Sequence, residues 1–185
     1  MATQPTIPPD LREKPCGPLT CTLTVTMGPT TVLRREIKAK FFPAIEAKGF
    51  RIETSDQPQS TRFRRDLADS VHLFDIQWDK TGKPRFVVNF GEAPNRPLQF
   101  YGQTVQPQDL RAHHSPSYLR LQRRRGGSMG CWYQTRRPLI PWLLHLGKPY
   151  EPEEVVAQLL THFSEVEGWW STKKRGPHIH PVRNA

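Results

Sequence analysis

The chain has 185 residues, enough for one hydrophobic core of ordinary size and short for two. Its formal net charge is +10 and only 36% of its residues are apolar, yet it carries five Trp, four Tyr and nine Phe. Such aromatic content argues against a disordered chain, and no apolar run reaches the length of a membrane-spanning helix.

The opening residues, Met1–Asp10, lack the basic and then apolar segments of a secretory signal. Cys16, Cys21 and Cys131 form an odd, scattered set that suits a reducing compartment better than a disulfide framework. These features point to a cytoplasmic protein. Cys16 and Cys21 also lack the spacing of a structural zinc site.

Residues 1–28 hold Pro5, Pro8, Pro9, Pro15 and Pro18 and read as a Pro-rich extension. Cys21–Thr26 alternates and can form an edge strand. Met27, directly before the first clear element, leaves Met1 and Met27 both open as translation starts.

A helix is predicted over 31–48, capped by Thr30 or Thr31. Leu33, Ile37, Phe41 and Ile45 make its apolar stripe, and Arg34, Arg35, Lys38 and Lys48 fall off it. Pro43 should kink or restart this helix, and Gly49 should end it with Phe50 folded back.

Residues 50–91 read as an antiparallel meander. Arg51–Glu53 and Arg62–Asp66 are short strands. In the next strand His72, Phe74, Ile76 and Trp78 share one face, and Val71, Leu73, Asp75 and Gln77 the other. After an Asp79–Lys83 turn, Phe86, Val88 and Phe90 face one way and Arg85, Val87 and Asn89 the other.

Residues 92–117 are Pro-interrupted, with only Leu98–Tyr101 strand-like. Tyr118–Leu121 and Gly130–Gln134 can be two strands flanking Arg123-Arg124-Arg125-Gly126-Gly127, which would be the connecting tip if the two strands pair, and Pro138–Trp142 follows as a turn and short apolar segment. A second helix is predicted over 152–167, with Pro152 in its first turn, Val155, Val156, Leu159, Leu160 and Phe163 buried, and Gly168 at its end. Residues 171–185 read as a basic, disordered tail.

The run Phe42-Pro43-Ala44-Ile45-Glu46-Ala47-Lys48-Gly49-Phe50, then Phe74-Asp75-Ile76-Gln77-Trp78, then Phe86-Val87-Val88-Asn89-Phe90-Gly91 resembles the bacterial domain-of-unknown-function 4304 family. The likeness covers roughly residues 31–170 and is strongest over 41–91, with Phe90 where that pattern has Leu. It implies a fold and no chemistry, since the family has no established activity.

The most distinctive local feature is basic. Between Asp109 and Glu151 there is no acid, while Arg111, Arg120, Arg123, Arg124, Arg125, Arg136, Arg137 and Lys148 lie within. Such a field attracts phosphates, and Tyr118, Trp132 and Tyr133 are interleaved as stacking surfaces. The residues Arg120, Arg123, Arg124, Arg125, Trp132, Tyr133, Arg136 and Arg137 are therefore a candidate nucleic-acid interface; the competing reading is a solvated loop. Asp75, Gln77, Arg85 and Asn89 are a candidate groove on the outer face of adjoining strands, against simple cross-strand bonding.

No metal or cofactor motif is present. His113-His114 point apart if extended, His178-x-His180 lies in the tail, and His145 and His162 flank apolar segments. Ser128-Met129-Gly130-Cys131 is a weak candidate nucleophile, better read as a small buried Cys. No P-loop, G-x-S-x-G, H-E-x-x-H or dinucleotide fingerprint occurs.

The sequence therefore predicts an α+β domain over 29–170: an antiparallel sheet of about four to six strands, packed against an N-terminal and a C-terminal helix. A non-catalytic binding protein with an unknown protein or nucleic-acid partner fits best. Nucleic-acid or phosphate-polymer binding through 111–137, an immunity-type partner-binding protein and an enzyme with an unrecognised site stay open, as does the oligomeric state. Ile37, Phe41, Phe74, Ile76, Phe86, Val88, Leu159 and Phe163 are the expected common core.

Overall fold

The computed structural model describes residues 27–55, 57–125, 131–136 and 148–182. The predicted Cys21–Thr26 strand, Gly126-Gly127, Ser128-Met129-Gly130, Arg137, the Pro138–Trp142 segment and His145 lie outside these.

The first helix starts earlier than predicted. Pro29 occupies its first turn, where its fixed φ suits helix entry, and Gly28 is the cap residue. Thr30 does not cap; its hydroxyl donates to the Gly82 carbonyl at 2.6 Å. The helix runs as α1 (Pro29–Glu36), a π-helical turn (Ile37–Phe41) and α2 (Phe42–Glu46). Pro43 explains the π turn. It has no N–H and its ring crowds the carbonyl four residues back, so the chain widens by one residue and Phe42 N–H donates to the Ile37 carbonyl. Gly49, at φ +84°, closes the helix, and Phe50 folds back into the core.

Among the described residues seven strands form one antiparallel sheet: β1 (Arg51–Glu53), β2 (Ser60–Asp66), β3 (Ser70–Trp78), β4 (Arg85–Pro94), β7 (Leu119–Leu121), β8 (Tyr133–Gln134) and β9 (Ile179–Pro181). Their order is β1-β2-β3-β4-β7-β9, with β8 also on β4. β5 (Leu98–Phe100) and β6 (Gln103–Val105) form a separate hairpin, followed by 3-10 turns at Pro107–Asp109 and Ala112–His114. The last helix, α3, spans Pro152–Thr172. The fold is α+β, as the sequence predicts.

Both helices cover one face of the sheet. Leu33, Ile37, Phe41 and Ile45 meet Phe74, Ile76, Phe86, Val88 and Phe90, with Leu159 and Phe163 from α3, in one buried cluster. All eight residues of the expected core lie in it. The opposite face is half covered. Residues of the β4–β7 connection place Leu110 and Ala112 on Val71, Leu73 and Ala93 as a second, smaller cluster. Gly91 permits this approach, because a Cβ there would lie 2.4 Å from that of Ser115. The Ser115 hydroxyl donates to the Glu92 carbonyl at 2.7 Å and so pins the segment to β4.

Three expectations need correction. First, Gly168 does not end the second helix. A mid-helix Gly costs about 1 kcal/mol relative to Ala, and the burial of Trp169 and Trp170 on Phe90 outweighs it; the helix ends at Lys173 in the left-handed region. Second, β7 and β8 do not pair with each other. They follow one another along the free edge of β4, Val88 opposite Leu121 and Phe86 opposite Tyr133.

Third, residues 171–185 are not simply a basic tail. Ile179–Pro181 add β9 to β7, and His178 Nδ1 bonds the Glu165 carboxylate of α3 at 2.6 Å. Polar composition hid one buried apolar residue, Ile179. The Ile179→Ala variant should lose about 2–5 kcal/mol of stability, the usual cost of emptying a buried aliphatic site, as read by urea denaturation. A near-zero change would return this segment to a passive tail.

Candidate functional site

Beside the β4–β7 connection the outer face holds a groove of about 370 Å³, walled in part by that connection. Strand register sets a polar row across this face, and its β1–β4 part lines the groove. Glu53, Arg62, Asp75, Asn89, Arg120 and His180 are direct cross-strand partners in turn, one from each of β1, β2, β3, β4, β7 and β9. Alternation along β3 and β4 buries Phe74 and Phe90 toward the helices, so the residues beside them in sequence point outward. The result is one polar row across the sheet, bordering the apolar patch formed by Leu73 and Leu110.

The floor is internally bonded. Arg120 Nε donates to Asn89 Oδ1 at 2.7 Å. Asn89 Nδ2 donates to Asp75 Oδ2 at 2.9 Å and to Gln77 Oε1 at 3.0 Å. Burial pushes the Asp75 carboxyl up to about 6, against the Asn89 bond and the charges of Arg120 and Arg62. Burial likewise raises Glu53, also on the groove. Tyr118 and His113 contribute aromatic wall, and Arg62, Lys80 and Arg111 add positive charge. Burial, then Arg111 and Arg62, lowers the pKa of His113 and favours its neutral form.

Of the predicted groove residues, the structure brings together Asp75, Gln77 and Asn89 and leaves out Arg85. The Arg85 Nε donates instead to Asp79 Oδ2 at 2.6 Å in the β3–β4 turn, and its guanidinium lies 4.8 Å over the Trp132 ring. Arg120, read as part of the basic interface, instead bonds Asn89 of the groove from the neighbouring strand. Glu53, Arg62, Arg111 and His113 were missed as groove residues. The alternation of β2 could have shown that Arg62 shares a face with Arg64, but its pairing with Asp75 depends on the register set by the Asp66–Ser70 turn.

The candidate nucleic-acid interface is dispersed. Tyr133 is fully buried, stacked on Phe86 at 5.3 Å, and its hydroxyl meets His162 Nδ1 at 2.9 Å. Trp132 is buried under Arg85. Neither can offer a ring face to a base. Arg123 is held inside: Nε donates to Gln158 Oε1 at 2.6 Å, Nη1 to the Gln134 carbonyl at 3.0 Å, and the guanidinium lies 3.5 Å over Tyr150. Arg124, Arg125 and Arg136 are exposed. Apolar strand pairing along β4, invisible in a charge count, takes Trp132 and Tyr133 inward.

Among the described residues, no group of three or more His, Cys, Asp or Glu side chains is arranged to hold a metal ion. His178 stacks on His162 at 3.8 Å and pairs with Glu165, while Cys131 is a buried free thiol. No described helix is long and apolar enough to cross a membrane. Compared with known protein families, curated proteins and solved structures, the chain finds no match.

At the end of α3, His72 stacks on Trp170 at 4.5 Å and accepts at Nδ1 from Arg65 Nη2 at 2.9 Å. An Arg only donates, so this nitrogen carries no proton. Burial, then the Arg65 charge, lowers the imidazole to about 4.

His72 and Asp75 pull stability in opposite directions with pH. As pH falls from 6.5 to about 4, the unfolded chain binds a proton at His72 that the fold refuses, so stability falls on acidification. Between 3.8 and about 6 the folded Asp75 keeps a proton the unfolded chain has lost. Its contribution favours the fold at the acid end and is lost as pH rises through about 6. The Asp75→Asn variant should therefore gain about 1–3 kcal/mol at pH 7.5 and little at pH 4. The His72→Gln variant should flatten the loss of stability between pH 6.5 and 4.5. Urea titrations across that range measure both, and an Asp75→Asn that destabilises equally at both ends would refute the assignment.

Proposed function

We propose that this chain is a non-catalytic binding protein, cytoplasmic and of the domain-of-unknown-function 4304 type, whose ligand site is the polar groove on the outer face of the sheet. The observation that carries the reading is the bonded floor. Asp75 sits in register between Arg62 and Asn89, its carboxyl lifted by burial, beside a space of about 370 Å³. Small-molecule sites typically occupy roughly 300–1,000 Å³ and place a few fixed polar groups beside apolar and aromatic walls. A carboxyl held where it weakens the fold at neutral pH is the kind of group found at functional sites.

Nucleic-acid binding through residues 111–137 draws less support, because Trp132 and Tyr133 are buried and Arg123 is bonded inward. Catalysis is the second reading. It draws on a carboxyl raised to about 6 by burial in a groove that His113 also lines, two residue types used in acid–base work.

A thermal-shift screen of the full chain against small polar metabolites tests the binding reading. A ligand present at 100 times its Kd adds about 2.7 kcal/mol to stability, and that shift should vanish in Asp75→Asn and Gln77→Leu. The groove reading fails if no compound shifts the wild type, or if the shifts survive both substitutions. Turnover of the captured compound, lost in Asp75→Asn, would replace the binding reading by the catalytic one.

A further inference from the structure

The hydrogen-bond directions on the groove floor are fixed by a single cation. Arg120 can only donate, so the Asn89 atom facing its Nε must be the oxygen. The Asn89 amide nitrogen therefore faces β3, where it donates to Asp75 Oδ2 and Gln77 Oε1. With its oxygen so engaged, Gln77 has its Nε2 left to donate. Asp75 has Oδ1 left to accept. Among the described residues no further side-chain bond reaches either group, and both residues line the groove.

Asp75 and Gln77 are two residues apart on one face of β3, so the groove floor offers an acceptor and a donor from the same strand. Their complement is a planar edge with a donor next to an acceptor. The wall offers ring surface in Tyr118 and His113, whose centroids lie 6.5 Å apart. Arg62, in register between Glu53 and Asp75, and Arg111 both line the same groove. An anionic substituent on the ligand would meet that charge.

Resting on the groove being the binding site, we infer that its ligand belongs to the mononucleotide class: a heterocyclic base whose donor–acceptor edge meets Asp75 and Gln77, with phosphate on the Arg62 and Arg111 side. The pairing is not specific to one base, since adenine, cytosine, guanine and uracil each carry an adjacent donor and acceptor. Charge supplies the phosphate preference and the floor supplies the preference for a base.

Calorimetric titration of the full chain with AMP, GMP, CMP and UMP, with the four matching nucleosides, and with inorganic phosphate is the test. At least one nucleotide should bind about tenfold or more tightly than both its nucleoside and phosphate. Asp75→Asn should weaken nucleotide and nucleoside alike by about tenfold and leave phosphate unchanged. Arg62→Gln should weaken nucleotide and phosphate and spare the nucleoside. Equal affinity for nucleotide and nucleoside, or nucleotide binding indifferent to Asp75→Asn, overturns the inference. If no nucleotide binds while another compound gives an Asp75-dependent thermal shift, the nucleotide class falls and the groove stands. If nothing shifts the protein, both fall.

Discussion

Four aromatic rings close on Phe74. Phe41 comes from the π turn, Phe50 from the helix exit, Phe63 from β2 and Phe163 from α3, with centroids between 4.4 and 6.2 Å away. This contact joins both helices to the sheet, and it also sets which way β3 faces. Side chains alternate along a strand, so burying Phe74 sends Asp75 to the other side. A slip of one residue would place Asp75 and Gln77 among the rings and Phe74 in the groove. The packing of the core and the composition of the groove are thus one constraint seen from two faces.

The outer face is divided by chemistry. Where β3 and β4 carry Val71, Leu73 and Ala93, the connection to β7 lies down on them with Leu110 and Ala112. Where they carry Asp75, Gln77 and Asn89, the face is mostly polar, with Val87 buried opposite Gln77. Arg64 secures the boundary: nearly fully buried, it donates to Asp66 Oδ1 at 2.6 Å and to the Pro107 carbonyl at 2.7 Å. The groove is the part of the sheet that a polar row keeps uncovered.

The helix stripes and the faces of β3 and β4 were legible because they are local and periodic; Phe41, Phe74 and Phe163 announce their burial by spacing alone. Asp75, Gln77 and Asn89 were legible for the same reason, as the opposite parity. What escaped depends on partners distant in sequence. Arg120 looks like one more charge in a basic run until β7 aligns it with Asn89. Trp132 and Tyr133 look like stacking surfaces until β8 joins the edge of β4. Ile179 is one apolar residue in a basic segment, and only the open edge of β7 makes it a strand. Gly168 misled because local propensity was outweighed by the two Trp that follow it.

Among the described residues the sheet ends in short strands on both sides. β1 and β9 have three residues each. Pro181, at the end of β9, has no N–H to give to a neighbour. On β1, Arg51 and Glu53 place opposite charges at the rim, and Arg51 is tied back to Asp66. A strand from a second copy approaching either side would find a ladder too brief to hold it and charged groups to desolvate. Long, flat edges invite strand addition and aggregation. Here the widest strands, β3 and β4, are kept at the centre, and the margins of the sheet discourage self-association.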